Sequence, residues 1–408
     1  MAIPVTTLLA AAAAQAGAAA DPDAAALLDL LEWPAHAPAA IRADRAGLLR
    51  IGAACRRVFR LRAPDAPGLH CFGAELDLAA IAGEPGLAVL GTSGVGATPG
   101  AAFAACLGEA AEFAAQVETP ALRAQRLGQE VALRRWPDGA PRGLPFDRCF
   151  RRAPDRVIST PSAPLSIGCA AAPTAAEAQL RAVLELVERD AVALWWVGGH
   201  PGRPLALEHA TPAAACLAAL REGATGRLAW LLDITADLGA PVVAAISFAG
   251  DGTGFCCGTA ARPTLAAAAE AAVLELCQNE LAQRVVERKA AERGEEGLNA
   301  RDVAIRARHL RVTPDDDWLL HARGLPRQAL VPGETAEARL AEVGRRIAEA
   351  GLELIFLEHA APPEIPVWRA VCDGLACTPS TEAAPRLLSA IARTGGGPGH
   401  RHGLALHA

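Results

Sequence analysis

Three stretches of this chain repeat one design, and the repeat constrains the fold more than any other feature. Each has a proline at its start, an alanine-rich run that contains leucine, and two polar residues three positions apart. The stretches are residues 99–112, 173–188 and 263–278, with the polar pairs Glu109/Glu112, Glu185/Glu188 and Glu275/Gln278. Proline is tolerated at a helix start, and residues three apart share a helix face. The pattern therefore predicts three apolar helices that each present two oxygen-bearing groups to a shared polar site.

The middle copy carries the longest polar stripe. Glu177, Arg181, Glu185 and Glu188 follow one another at spacings of four, four and three, and Arg189 lies one residue off the stripe. Carboxylate oxygens are hard ligands for Mg²⁺, and guanidinium groups bind phosphate oxygens in a fork. The alternative is a solvent-facing helix whose Glu–Arg pairs contribute only tenths of a kcal/mol. Three copies of one arrangement favour the polar site.

The same segments resemble a known family. The run SIGCAAAPTAAEAQLRAVLELVERDAVALWW, residues 166–196, resembles the signature of YcaO-domain proteins, in which a helix ending ELxERDA precedes paired tryptophans. The first copy, TSGVGATPGAAFAACLGEAAEF, and the third, residues 237–281, resemble the flanking helices of that family in order and spacing. The resemblance spans roughly residues 42–379. It implies an enzyme that binds ATP and Mg²⁺ and activates a backbone amide of a ribosomally made peptide.

The resemblance also implies roles for individual residues. It assigns Mg²⁺ ligation, directly or through water, to five carboxylates: Glu109, Glu112, Glu177, Glu185 and Glu188. It assigns phosphate contacts to Arg189 and Arg369. The expected catalytic residues are Glu185, Glu188 and Arg189. Arg181 stands where the family has glutamine, and it is predicted to bind the cofactor and to compensate for an arginine that the family has at position 113. The alternative is that Arg181 only pairs with Glu177 or Glu185 on an exposed helix face.

Several positions depart from the family pattern. Ala105 and Phe113 replace a serine and an arginine, Ala170 and Pro173 replace small polar residues, and Asp373 replaces a proline. These departures leave open a second function, a YcaO-like subunit that binds a peptide or a partner without turning over ATP.

The expected product and partners also follow from the resemblance. Azoline-forming members often end in a proline-rich tail, whereas this chain ends HGLALHA, which favours thioamide formation. The expected partners are a precursor peptide, a TfuA-like or leader-binding protein, and a second copy of the chain. No leader-binding domain is expected before Arg42, because that segment is short.

Composition excludes other classes of protein. A net charge of −6 and a pI near 6.0 argue against a general nucleic-acid binder. No apolar run reaches the ~18 residues that span a bilayer, and no Lys or Arg precedes the apolar N-terminal stretch, as a signal peptide requires. Eleven cysteines without metal-ligand spacing are typical of a reducing compartment. We therefore expect a cytoplasmic protein.

The expected fold is α+β, with mixed sheets and three carboxylate-bearing helices around a nucleotide cleft. Residues 1–41 are predicted to be a variable Ala-rich segment, 42–380 the YcaO-like domain, and 381–408 a helix end with a flexible tail containing His400, His402 and His407. Strands are expected in residues 46–75, 230–235, 242–248, 352–357 and 366–372. The proline-rich residues 137–164 are predicted to form a loop, GTSGVG at 91–96 a turn, and 336–350 a helix.

Overall fold

The computed structural model describes residues 5–14, 22–33, 37–124, 130–157, 164–314, 318–359, 365–377, 384–397, 404 and 406. The chain divides into two compact units. Unit 1 comprises residues 1–61, 70–182 and 355–371, and unit 2 comprises residues 62–69, 183–354 and 372–408. The predicted histidine tail lies outside the described residues, and the predicted domain limits at 41/42 and 380/381 stay predictions.

Helices and strands alternate irregularly along the chain. The helices are α1 (Val5–Ala14), α2 (Pro22–Leu30), α3 (Ala39–Ala54), α4 (Leu78–Ala82), α5 (Pro99–Ala115), α6 (Pro120–Ala124), α7 (Ala175–Trp196), α8 (Leu207–Arg221), α9 (Leu265–Arg293), α10 (Ala300–Arg311), α11 (Ala336–Glu349) and α12 (Pro385–Thr394). The strands are β1 (Arg57–Leu61), β2 (His70–Asp77), β3 (Val89–Gly96), β4 (Glu130–Arg135), β5 (Pro141–Pro145), β6 (Cys169–Ala171), β7 (Arg227–Asp233), β8 (Val242–Ala249), β9 (Cys256–Ala261), β10 (Ile355–His359) and β11 (Val367–Val371).

Unit 1 contains two sheets. The first has the order β1-β2-β3, and the second has the order β5-β4-β10-β11-β6. Helix α5 packs on β3, where glycine allows the two backbones to approach. A Cβ on Gly94 would lie 2.1 Å from the backbone nitrogen of Cys106. The buried ring of Phe103 on α5 meets Trp33 and Phe72 edge-on and anchors the core of this unit.

Unit 2 is built on the sheet β7-β8-β9. Its central strand, β8, is buried along nearly its whole length, so its sequence VVAAISFA is a continuous run of small and apolar residues. Helix α9 packs against β9, and here again glycine allows the approach. A Cβ on Gly258 would lie 2.2 Å from the backbone nitrogen of Leu276. Each of the two tryptophans that end α7 donates its indole N–H to a backbone carbonyl, Trp195 to Leu319 and Trp196 to Leu404.

The α+β class is confirmed, but the prediction of mixed sheets is wrong. Every strand pairing within the described sheets is antiparallel. Strands β7–β9 follow one another directly along the chain, and only the short helix α4 separates β2 from β3 in the set β1–β3. Both sets pair as meanders, which require antiparallel order. None of the helices in the described ranges has the length and apolar character needed to cross a bilayer.

Three local predictions are corrected. Residues 46–54 continue helix α3, and the first strand begins at Arg57. Residues 91–96 lie in strand β3, where Gly94 and Gly96 allow helix α5 to approach and do not form a turn. The predicted loop at 137–164 contains the strand β5, which pairs with β4. Its prolines are tolerated because β5 lies at the sheet edge. The strands near 230, 242, 352 and 366 and the helix at 336–349 are confirmed.

Candidate functional site

The three repeated stretches form three helices that begin in the same way. Thr98, Thr174 and Thr264 each accept a hydrogen bond from the backbone N–H three residues ahead, at 3.2 Å in every case. Such a cap fixes where a helix starts. In each copy the polar pair follows the threonine at 11 and 14 residues. Eleven residues are close to three helical turns, so the pair has the same phase on all three helices.

The carboxylates of α5 bind the backbone of neighbouring strands in unit 1. Glu109 accepts a hydrogen bond from the N–H of Ser93 on β3 at 2.9 Å. Glu112 accepts one from the N–H of Ala171 on β6, also at 2.9 Å. Both side chains are half-buried. The predicted pair therefore lies on one side of α5 and is oriented by main-chain donors.

Arg181 and Glu112 meet at the same residue. Arg181 Nη1 donates to the carbonyl oxygen of Ala171 at 3.3 Å, while Glu112 accepts from the N–H of that residue. Despite this contact, Arg181 is exposed to solvent. Glu177, one turn earlier on α7, has a buried Oε2 with no hydrogen-bond partner among the described residues. A carboxylate oxygen in this state is a buried acceptor without a hydrogen-bond donor.

Asp44 on α3 belongs to the same group and was missed by the sequence reasoning. Burial raises the pKa of Asp44, the Arg181 charge opposes that rise, and the Glu177 charge adds to it. The three charges therefore lie close enough to affect one another. Asp44 stands outside the repeats, so no spacing rule connects it to them.

Arg369 lies in the middle of β11. The residue is 6% exposed, and its Nη1 donates to the carbonyl oxygen of Arg148. Its backbone pairs with Leu357 on β10 and with Cys169 on β6. The arginine that is predicted to contact phosphate therefore lies on an interior strand that pairs on both sides.

In unit 2, the second half of α7 carries a compact ionic cluster. Glu188 is buried and accepts hydrogen bonds from Thr259 Oγ1 at 2.7 Å and from the N–H of Ala261 at 3.1 Å. Arg189 lies 3.3 Å from Glu185 and 3.9 Å from Glu188. Burial acts to lower the pKa of Arg189, but the two carboxylates raise it overall.

Glu275 on α9 completes this cluster. Burial raises the pKa of Glu275 to about 8, the charge of Glu188 adds to the rise, and Arg189 opposes it. The sequence contained a signal for this residue, because Glu275 follows Thr264 at the same distance as Glu185 follows Thr174. The repeat places Glu275 in the shared polar site, but the resemblance assigns it no role in metal binding or catalysis. In the part of the chain that the structure describes, no three His, Cys, Asp or Glu side chains are grouped closely enough to hold a metal ion by themselves.

Comparison with known proteins agrees with the fold. A family model described as YcaO cyclodehydratase, ATP- and Mg²⁺-binding, matches residues 115–376. The matched range includes Glu177, Arg181 and Arg369 and begins after the two α5 carboxylates. No curated protein matches the chain.

Solved structures show the same fold at low sequence identity. The chain is similar to a heterocyclase solved in complex with substrate and cofactor, with a TM-score of 0.64 and 19% identity over 82% of this chain and 52% of that one. It therefore spans about half the length of that heterocyclase. It is also similar to YcaO from Methanopyrus kandleri bound with AMPPCP and Mg²⁺, with a TM-score of 0.57 and 19% identity over 79% of this chain and 86% of that one.

A third similarity is to the E. coli microcin synthetase McbBCD complex, with a TM-score of 0.50 and 14% identity over 74% of this chain and 84% of that one. The same complex was also solved with pro-MccB17 bound. The family model covers well over half of the residues of this chain, so the chain belongs to the YcaO cyclodehydratase family.

Proposed function

We propose that this protein uses Mg·ATP to activate a backbone amide of a ribosomally made peptide. The observation that carries the proposal is the set of three threonine-capped helices with polar groups in one phase, five of the six being carboxylates. Membership of an ATP- and Mg²⁺-binding family supports it. The AMPPCP and Mg²⁺ found with the M. kandleri protein belong to that protein, and they motivate the choice of ligand here.

The residues present fit Mg²⁺ held together with a nucleotide. Mg²⁺ in nucleotide sites keeps several waters and is bound by one or two carboxylates plus phosphate oxygens. A protein cage of three or more ligands is therefore not required. Glu177, with its buried and unpartnered Oε2, is an acceptor suited to a cation or to a metal-bound water.

In unit 1, we assign Mg²⁺ ligation, directly or through bound water, to Glu109, Glu112 and Glu177, and nucleotide binding to Arg181 and Arg369. The hydrogen bonds from Ser93 and Ala171 orient the first two carboxylates, which lowers the cost of arranging them around a cation. Arg369 is fixed in a buried strand, so its charge is placed before any ligand arrives.

In unit 2, we assign Mg²⁺ ligation and catalysis to Glu185 and Glu188, and phosphate neutralisation to Arg189. Glu188 has its oxygens oriented by Thr259 and Ala261, while Glu185 is about a quarter exposed and accessible to a ligand. Glu275 joins this group as a further acidic side chain. When bound, Mg·ATP supplies the phosphoryl group that converts an amide oxygen into a leaving group. These residues bind and position it, since phosphoryl transfer depends mainly on positioning and electrostatics.

The product we favour is a thioamide, with an azoline as the other outcome of the same activation. A TfuA-like protein would be the partner for thioamidation. The substrate would be a precursor peptide, and the McbBCD complex solved with pro-MccB17 bound motivates this choice.

The test is ADP release with and without a precursor peptide, followed by mass spectrometry of that peptide. Peptide-dependent ADP release with a mass gain of about 16 Da, for exchange of oxygen by sulfur, supports thioamidation, and a loss of about 18 Da supports azoline formation. ATP binding without turnover in the presence of peptide and partner would favour the non-catalytic subunit. The altered positions Ala105, Phe113 and Ala170 are the observation behind that alternative.

A further inference from the structure

Arg151 in unit 1 is fixed over an aromatic ring at the end of α5. Its guanidinium carbon lies 5.1 Å from the centroid of the Phe113 ring, and its Nε donates to Gln116 Oε1 at 3.2 Å. Its backbone N–H donates to the carbonyl of Gln116 at 2.7 Å, and its carbonyl accepts from the N–H of Glu118 at 2.9 Å. Main chain and side chain are therefore both held, and the position of the guanidinium is set by the fold.

The charge of Arg151 has no acidic partner in the described parts of the chain. Burial lowers the pKa of Arg151; Cys169 opposes that effect, and the nearby positive charge of Arg369 adds to it. The arginines that follow are paired differently. Arg152 contacts Glu118 and Asp147, and Arg156 contacts Glu118 and Glu84. Burial and the nearby positive charge of Arg369 both disfavour the charged form of Arg151, and an anion bound to Arg151 would favour it.

Gln116 adds a second group that lacks a partner. Its side chain is fully buried. Arginine can only donate hydrogen bonds, so the amide oxygen of Gln116 must face Arg151 and the amide nitrogen must point elsewhere. That nitrogen, Nε2, has no acceptor among the described residues. A buried donor without an acceptor is costly, and here it lies beside an arginine that lacks a carboxylate.

We propose that Arg151 and Arg369 form an anion site that binds phosphate oxygens of the nucleotide, with Gln116 and Phe113 as positioning residues. The proposal rests on the proposed function. It gives Arg151 a role that neither the repeats nor the resemblance indicated. The guanidinium that the resemblance expects at position 113, and that Arg181 is predicted to replace, would be supplied by Arg151, which lies over the Phe113 ring.

The test compares Arg151→Gln with Arg151→Lys and with the control Arg134→Gln. Glutamine removes the charge but retains a donor for the Gln116 oxygen, and lysine retains the charge. Arg134 is an exposed arginine of the same unit, so its variant controls for loss of one positive charge. Dissociation constants for Mg·ATP, inorganic tripolyphosphate and adenosine are measured by calorimetry, and melting temperatures are measured without ligand.

We expect Arg151→Gln to weaken binding of both Mg·ATP and tripolyphosphate by about 10- to 100-fold, as for loss of a charge-assisted contact. Arg151→Lys should lose less, Arg134→Gln should match wild type, and adenosine should bind the wild type and Arg151→Gln equally. The ligand-free melting temperature of Arg151→Gln should be equal to or above that of wild type, because a repulsion is removed.

The outcomes separate this proposal from the proposed function. Unchanged binding of both phosphates by Arg151→Gln, or a large fall in its ligand-free melting temperature, overturns the anion site and leaves the ATP function standing. If the wild type binds tripolyphosphate more tightly than Arg151→Gln does but does not bind Mg·ATP, the anion site is upheld and the ATP function is overturned. A wild-type protein that binds neither ligand overturns both.

Discussion

Glu185→Gln is the substitution that best separates function from stability. Glu185 and Glu188 lie on the same helix, but the structure gives them different roles. Glu188 is buried and holds Thr259 and the backbone of Ala261, so its replacement disturbs packing as well as charge. Glu185 is about a quarter exposed and contacts Arg189 at 3.3 Å. Its charge can therefore be removed with little effect on the fold.

The magnitudes follow from this difference in burial. A partly exposed ion pair at spacing four contributes about 0.3–0.5 kcal/mol, so Glu185→Gln should lower the free energy of unfolding by less than about 1 kcal/mol. A carboxylate that ligates a catalytic metal ion helps to stabilise several kcal/mol of transition-state charge. Since each 1.36 kcal/mol is a factor of ten in rate, we expect ATP turnover to fall by about 100-fold or more.

Urea unfolding and the rate of ADP release measure the two quantities separately. The matched control is Glu270→Gln, which removes the same charge from an exposed position on α9 and should leave both quantities unchanged. Wild-type turnover in Glu185→Gln would refute its assignment as a metal ligand. A loss of stability comparable to that of Glu188→Gln would refute the reasoning from burial.

Three further predictions concern stability. Burial holds the pKa of Glu275 at about 8, above its ordinary value of 4.5. The contribution of Glu275 to the free energy of unfolding is therefore complete below about pH 4.5 and is lost as the pH rises through about 8. Urea titrations should show Glu275→Gln gaining stability relative to wild type between about pH 5 and about pH 9. Glu280→Ala leaves Arg221 buried without its carboxylate and should cost about 3–5 kcal/mol in the same assay. Gly258→Ala places a Cβ 2.2 Å from the Leu276 backbone and should cost about 3 kcal/mol or more by thermal melting, whereas Gly250→Ala, with open space around it, should be close to neutral.

Features carried by local spacing were predictable from the sequence. The polar pairs three residues apart are properties of single segments, so Glu109, Glu112, Glu185 and Glu188 lie on helices as predicted. Glycine and proline were harder to interpret. Gly94 indicated a turn in the sequence, but it lies in a strand because only glycine lets α5 approach so closely.

Features that depend on tertiary packing were not predictable. Asp44 comes from a helix far from Glu177 and Arg181 in the sequence, and only the fold brings their charges together. Arg151 lies in a region predicted to be loop, where nothing in the sequence connects it to Phe113. In the folded protein, the charges of Asp44 and Arg151 lie beside charged residues of the predicted site.

Titration calorimetry with ATP is the most direct test of the central claim, which is that the carboxylates assigned above bind a nucleotide through Mg²⁺. The wild-type protein should bind ATP with a measurable heat when Mg²⁺ is present, and the heat should be strongly reduced when EDTA removes the metal. The same titration with Glu177→Gln, which replaces the carboxylate whose Oε2 lacks a partner, should show weaker binding in the presence of Mg²⁺. The absence of Mg²⁺-dependent heat from the wild-type protein at millimolar ATP would contradict the account.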